Sequence, residues 1–267
     1  MQSVIKCTTA SRYTLSFLRL TTTLGGGSRL GLSVCTARTG GTMANNKVQV
    51  NVDVTSDVVC PWCWIGKRSL DTAMDHLKDD FEFNVHWKPF LLNPVMPEEG
   101  VPAMDYFRLK FGEEAAQRFV SGNSPVTLRG KELGINFNPN RLVIPTKKPH
   151  MILDFAGKHG KQHEMQEVLF RAYFSEGRNV SSDEILKELV EEVGLDSGKA
   201  LAALRDSGYV SGFEKGVKES SAKGVTGVPF FEISLKDKPN SQQQFSGGQP
   251  VDTFIKVFSR LKTLSKV

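Results

Sequence analysis

Val58-Val59-Cys60-Pro61-Trp62-Cys63-Trp64-Ile65-Gly66 is the stretch whose reading decides the fold. Two cysteines stand three apart, with Pro and Trp between them. Before them, Val48, Val50, Val52 and Val54 alternate with polar residues, the period of a strand with one buried face. After them, Trp64, Ile65, Leu70, Ala73, Met74 and Leu77 follow a helix-like spacing. Cys60 therefore falls where a strand ends and a helix begins. Free N–H groups and the positive end of the helix dipole favour an anion there. A thiolate at such a position is the reactive form of cysteine. Pro61 suits a first helical turn, whose N–H would be unpaired in any case. Cys60 is thus the expected attacking sulfur, and Cys63, one turn on, the sulfur that resolves a mixed disulfide.

The gross composition narrows the function. The chain has 267 residues, 39% of them hydrophobic, enough for one large domain or one domain with a substantial insertion. Of the four cysteines, Cys7 and Cys35 lie in the first 43 residues, so this is no disulfide scaffold. The net charge of +5 belongs to that same segment. It holds Lys6, Arg12, Arg19, Arg29 and Arg38 and no acid; without them the basic residues equal the 29 acidic ones. The remainder lacks the basic excess that nucleic-acid binding requires.

Residues 1–43 are rich in Ser and Thr, free of acid, and include Gly25-Gly26-Gly27. That is the composition of an organelle transit peptide, mitochondrial in preference to plastid. Translation from Met43 would instead leave a cytoplasmic protein. Lys6 and Arg19 interrupt the apolar runs, so no secretory core or membrane span is evident.

Along the rest of the chain, 47–55 reads as a strand, 61–78 as the cysteine-bearing helix and 81–90 as a second strand. A right-handed crossover would make the two strands parallel. Helical patterns then follow over 104–111, 114–120, 146–158, 162–174, 182–193, 197–206 and 209–223, with mostly loop between Gly122 and Pro145. Ser181 and Glu184 form a capping-box pattern, Gly194 is placed as a stop, and Asp196 and Gly208 bracket the next helix. Gly224-Val225-Thr226-Gly227-Val228-Pro229 leads into the apolar strand Phe230-Phe231-Glu232-Ile233. A polar hairpin, a short strand at 243–246 and an amphipathic helix over 250–264 close the chain.

This order resembles the DsbA family of thiol–disulfide oxidoreductases, in its FrnE-like branch. The resemblance rests on Ser56-Asp57-Val58-Val59-Cys60-Pro61-Trp62-Cys63, on Gly224-Val225-Thr226-Gly227-Val228-Pro229 and on Phe245-Ser246-Gly247-Gly248-Gln249. It implies an α/β chain: a thioredoxin fold (DsbA-like) with a large all-helical insertion. The thioredoxin part would comprise 47–92 and 209–267, and the insertion 100–208. It further implies a cis Val228–Pro229 bond lying against Cys60, and a Val228 backbone that pairs with an extended substrate by strand addition. Pro61, Trp62, Val228 and Pro229 are the substrate-binding residues on this reading. The substrates are thiols or disulfides, of proteins or of glutathione, and no metal or organic cofactor is needed. Some FrnE-like proteins carry a further CxxC near the C-terminus; this chain has none. Kappa-class glutathione transferases and chromene-carboxylate isomerases place Ser where Cys60 stands. Glutathione held at the same helix N-terminus is therefore the alternative function, and the paired cysteines favour redox work over it.

Other residues carry two readings. Cys60 and Cys63 as a zinc half-site would need two more ligands; His159 and His163 have suitable spacing but lie about 100 residues on. Trp62, between the cysteines, belongs to the binding surface, and Trp64 to the core. Asp53 and Asp57 are the candidate proton relay to the resolving thiol. Asp53 lies on the strand face opposite the valines, and Asp57 is placed to cap the turn before Cys60.

Overall fold

The computed structural model describes residues 47–221 and 224–267. The expected transit peptide lies outside the described residues, as does the end of the helix expected over 209–223. The chain opens with strand β1 (Val48–Ser56), helix α1 (Pro61–Leu77) and strand β2 (Phe81–Pro89). A two-residue strand β3 (Val101–Pro102) leads into α2 (Ala103–Phe111), α3 (Glu113–Val120) and α4 (Pro125–Glu132). Strand β4 (Leu142–Val143) pairs back onto β3, antiparallel. Then come α5 (Lys147–Lys158), α6 (Gln162–Phe170), a π turn (Arg171–Ser175), α7 (Asp183–Glu192), α8 (Ser197–Arg205) and α9 (Ser207–Ser221). Strands β5 (Phe230–Leu235) and β6 (Lys238–Ser246) and helix α10 (Val251–Ser265) end it.

The four long strands form one mixed sheet in the order β2-β1-β5-β6. β1 and β2 are parallel, as the crossover rule requires. β5 runs antiparallel to β1, with Val54 opposite Phe231. This is the α/β thioredoxin-type arrangement expected, with a helical region between β2 and β5.

The two sheet faces differ because the strands alternate. Val50, Val52 and Val54 share a face with Phe81, Trp87, Phe231 and Ile233, and all seven are buried. α10 covers this face: Phe254 meets Phe231 and Phe245, and Phe258 meets Phe81 and Phe83. Each fully buried Phe is worth about 1.5–3 kcal/mol over an exposed one. The other face is polar. Gln49 bonds Glu82, Asn84 bonds Asn51, and Lys88 pairs with both Asp53 and Glu232.

Helix α1 is fixed to α6 by charge as well as by rings. Lys67 is buried but lies 2.7 Å from Asp71 and 3.1 Å from Glu167. Glu167 also takes Arg68 at 2.6 Å and the indole N–H of Trp64. His163 bonds Asp71 at 2.8 Å and accepts from the indole of Trp87, while His159 turns to the Phe155 carbonyl. The two histidines considered above as ligands therefore have separate partners. Burial pushes Asp71 up, but its bonds to His163 and Lys67 outweigh that and leave it below the usual carboxylate range.

Several local expectations are corrected. The stretch from Gly122 to Pro145 is not mostly loop: Ser124 caps α4 and Pro125 occupies its first turn. The helical region also has one small exception, the β3–β4 pair. The helix expected over 162–174 breaks into a π turn after Phe170. The π turn buries Ala172, Tyr173 and Phe174 in succession, with the Phe174 ring stacked on Trp64. Ser181 does not cap α7; its hydroxyl bonds Asn179, and Ser182 occupies the cap position. Gly194 does end α7 in a left-handed conformation, and Asp196 caps α8. Gly208 lies inside α9, because Asp206 ends α8 and caps the next helix through Tyr209 N–H.

Candidate functional site

The site is built at the corner where β1 gives way to α1. The Asp57 carbonyl accepts the Cys60 N–H at 3.0 Å, closing the turn. Cys60 is extended and caps the helix, with Pro61 next, so the chain switches geometry at the sulfur itself. Cys60 is nearly buried and Cys63 wholly so, and both are free thiols. Trp62 is 38% exposed and Trp64 only 1%, as their places on the helix require. Trp64 stacks on Phe170 and Phe174 and meets Phe137 edge-on.

The Val-Pro segment arrives from the far end of the sequence. The Val228–Pro229 bond is cis, and the Cys60 thiol reaches the Val228 carbonyl at 3.6 Å. Two glycine features explain how this segment is held. Gly247, with φ of 85°, donates its N–H to the Pro229 carbonyl at 2.8 Å. A side chain at Gly248 would meet the Trp62 ring at 3.0 Å, so the missing Cβ lets that ring approach the loop closely. On the helix, Gly66 leaves room for Phe231 and Pro229, whose atoms would stand 3.0 and 3.3 Å from a Cβ there. The pair Gly247-Gly248 is thus a seat for Pro229 and Trp62.

Beneath the sulfurs lies a polar floor. Burial pushes the Cys63 thiol well up, neighbouring Cys60 adds to this, and Ser56 and the Asp57 backbone offset only part. Asp57 is the one fully buried carboxylate among the described residues. Its Oδ2 accepts the Leu92 N–H at 2.7 Å, and its Oδ1 lies 3.3 Å from His150 Nε2. His150 Nε2 also faces the Phe90 carbonyl at 3.2 Å. With two acceptors around it, Nε2 must carry the ring proton. Nδ1 is buried without a partner. His150 forms part of the wall of a 540 Å³ cavity on the far side, with Trp87, Lys88, Leu153 and Tyr209.

The two carboxylates singled out from the sequence therefore separate. Asp57 lies under the corner. Asp53 does not: α1 packs on the valine face of the sheet, so Asp53, on the alternate face, is held 2.7 Å from Lys88 instead. His150 was not legible as a site residue. It comes from the start of α5, and only the fold brings it to Asp57.

A second cavity, of 340 Å³, opens beside Pro61 and Trp62. Its far wall comes from α2, α3 and the π turn, with Tyr106, Phe107, Phe119 and Tyr173. Arg141, in the loop before β4, closes its floor. On the other flank of the corner, Gly224–Val228 and Gly247 border an open groove of 520 Å³.

Comparison with known proteins agrees with this fold. Residues 51–259 match the DSBA-like thioredoxin domain family. The chain is 30% identical over 192 residues to the uncharacterized protein YwbO of Bacillus subtilis, covering 69% of this chain and 86% of that one. Among solved structures it is similar to the probable DsbA oxidoreductase SCO1869 of Streptomyces coelicolor. The TM-score is 0.69 at 26% identity, with 79% of this chain and 89% of that one covered. The fold is also that of the cytosolic disulfide reductase DsbM of Pseudomonas aeruginosa with GSH. There the TM-score is 0.52 at 18% identity, covering 81% of this chain and all of that one (100%).

Proposed function

Since the chain belongs to the DSBA-like thioredoxin domain family and is a disulfide oxidoreductase, we propose that Cys60 and Cys63 are its redox pair, opposite Pro229. One observation carries this reading. The Cys60 sulfur, at a helix N-terminus, stands 3.6 Å from the carbonyl of a residue 168 positions away. A merely structural thiol has no need of such a partner, and a substrate strand laid along Val228 would pass beside that sulfur.

In the reducing direction the Cys60 thiolate attacks one sulfur of a substrate disulfide and displaces the other as a thiolate. Cys63 then attacks Cys60, forms the intramolecular disulfide and releases the second substrate thiol. Two electrons pass to the substrate; in the oxidising direction every step reverses. Because Cys63 holds its proton tightly, closure needs a base. On this reading Asp57 takes that task, supported by its burial in the turn before Cys60 and by His150, which joins it to the cavity beyond. The motif from Ser56 to Cys63 supports the FrnE-like branch. Proteins or glutathione are the thiol partners this chemistry accommodates.

Cys60→Ser tests the reading. Disulfide reduction and dithiol oxidation should both vanish, and undiminished turnover by that variant would overturn the assignment. Cys63→Ser should instead accumulate substrates as mixed disulfides on Cys60, visible by mass spectrometry.

A further inference from the structure

The cavity beside Pro61 and Trp62 has a chemical character that the redox reaction alone does not demand. Its lining is mostly apolar and contains no Asp or Glu, yet it holds two cations, Lys110 and Arg141. Lys110 is exposed at the rim, bonded to the Tyr106 hydroxyl at 2.7 Å. Arg141 is different: it is only 6% exposed and has no carboxylate partner among the described residues. Its Nη1 donates to the Asn138 carbonyl at 2.6 Å, while its Nε is buried with no partner. The rings of Phe119, Phe174 and Tyr173 surround the guanidinium at 4.8, 5.1 and 5.5 Å.

Those rings offset part of the desolvation but supply no counter-charge. Tyr173 cannot supply one either. Burial pushes its phenol up to about 12, so it stays neutral at physiological pH. A buried cation without an anion, lining a mostly apolar space beside Pro61 and Trp62, is a half-made ion pair. Arginine presents a planar fork that suits a carboxylate. A cavity of 340 Å³ is at the small end of ligand sites, large enough for an aromatic or branched aliphatic arm.

We propose that this cavity selects low-molecular-weight disulfides and thiols whose apolar arm ends in a carboxylate, and that Arg141 binds that carboxylate. The proposal rests on Cys60 and Cys63 being the redox pair and names the class of substrate they serve. In one turnover a substrate S–S bond breaks and the Cys60–Cys63 bond forms. Two electrons pass to the two departing sulfurs, and the protons of the enzyme thiols go with them.

The test compares two chromogenic disulfides on the full-length reduced protein with Cys7→Ser and Cys35→Ser as the background of every arm, so that Cys60 and Cys63 are the thiols that report. Dithiobis-nitrobenzoate carries one carboxylate on each ring; dithiodipyridine is uncharged at neutral pH. Arg141→Met should slow reaction with the first about 10- to 100-fold and leave the second within about twofold. Equal slowing of both, or of neither, overturns the proposal. A second measurement keeps Arg141. On the same background, naphthoate should protect Cys60 against dithiodipyridine and the matched uncharged amide should not; equal protection, or none, overturns it too. The dithiodipyridine rate tells the two readings apart, since it needs Cys60 but not Arg141. If the background protein with Arg141 intact consumes neither disulfide, the redox pair itself is sunk, whereas consumption of both without regard to charge sinks only the carboxylate pocket.

Discussion

The corner at Cys60 and the wall across the cavity from it are built by different means. The corner is a backbone construction. A turn carbonyl, a helix N-terminus, the Val228 carbonyl and the Gly247 amide hold it together. The wall is a side-chain construction: Tyr106, Phe107, Tyr173 and Arg141 define its shape and charge. Backbone groups are the same in every sequence, so on the proposed function the corner would give reactivity that tolerates many substrates. Side chains are particular, so the wall is where preference between substrates can reside.

If that division is sound, damage to the wall should leave the sulfur chemistry intact. Phe174→Ala removes a ring that stacks on Trp64 and faces Arg141, and should cost about 3–5 kcal/mol of stability. Chemical denaturation measures the loss. Below the transition, the rate of Cys60 with an uncharged disulfide should be unchanged; a parallel fall would show that corner and wall are one unit. The converse change is Asp57→Asn. The first attack by Cys60 should survive, while closure by Cys63 slows about 100-fold, read as a long-lived mixed disulfide in single-turnover quench experiments. Next in size is Glu167→Gln, which weakens the join between α1 and α6 and leaves Lys67 less well paired. About 1–3 kcal/mol of stability should be lost. Smallest is Trp62→Ala, on the exposed rim: stability should move by less than about 0.5 kcal/mol, with only the substrate KM changed.

The corner also makes a prediction about pH. Burial holds the proton on Cys63 in the reduced folded protein. Below the unfolded thiol's value of about 8.5, both states keep the proton and pH has no effect through this group. Above it the unfolded chain releases the proton and the folded one does not, so stability falls as pH rises, until the folded thiol also ionises. Thermal melts of reduced protein between pH 7 and 10 should show this decline, and Cys63→Ala should flatten it.

Legibility in the sequence follows the same division. The corner was readable because its signals are local: alternating valines, Pro61 at a helix start, and Val-Pro before an apolar strand. Its partner relationship with residue 228 came from family resemblance, not from spacing. Much of the wall was hidden. Ser124-Pro125 is a good helix start, but the residues α4 buries are Thr127 and Gly130, the latter against the Phe137 ring. Without a buried apolar stripe the helix leaves a weak periodic signal. The π turn was unreadable because its inward triplet depends on packing around Trp64. Arg141 sits in a run of Asn and Pro with no local sign of burial, and His150 is a lone histidine; only long-range contacts give either residue a role. Asp53 and Asp57 show the limit of proximity in sequence. Knowing that both were near Cys60 was not enough without knowing which sheet face α1 would cover.

The reach from Cys60 to Val228 has a consequence for synthesis. The two cysteines leave the ribosome 168 residues before the carbonyl that meets one of them. At about 5–20 residues per second, roughly 10–30 s pass before that partner is even made. During this interval the nascent chain carries two thiols with no finished pocket around them. Whatever oxidant or reductant prevails where translation occurs acts on them first, so the newborn enzyme's oxidation state is inherited from its surroundings rather than chosen by its own fold.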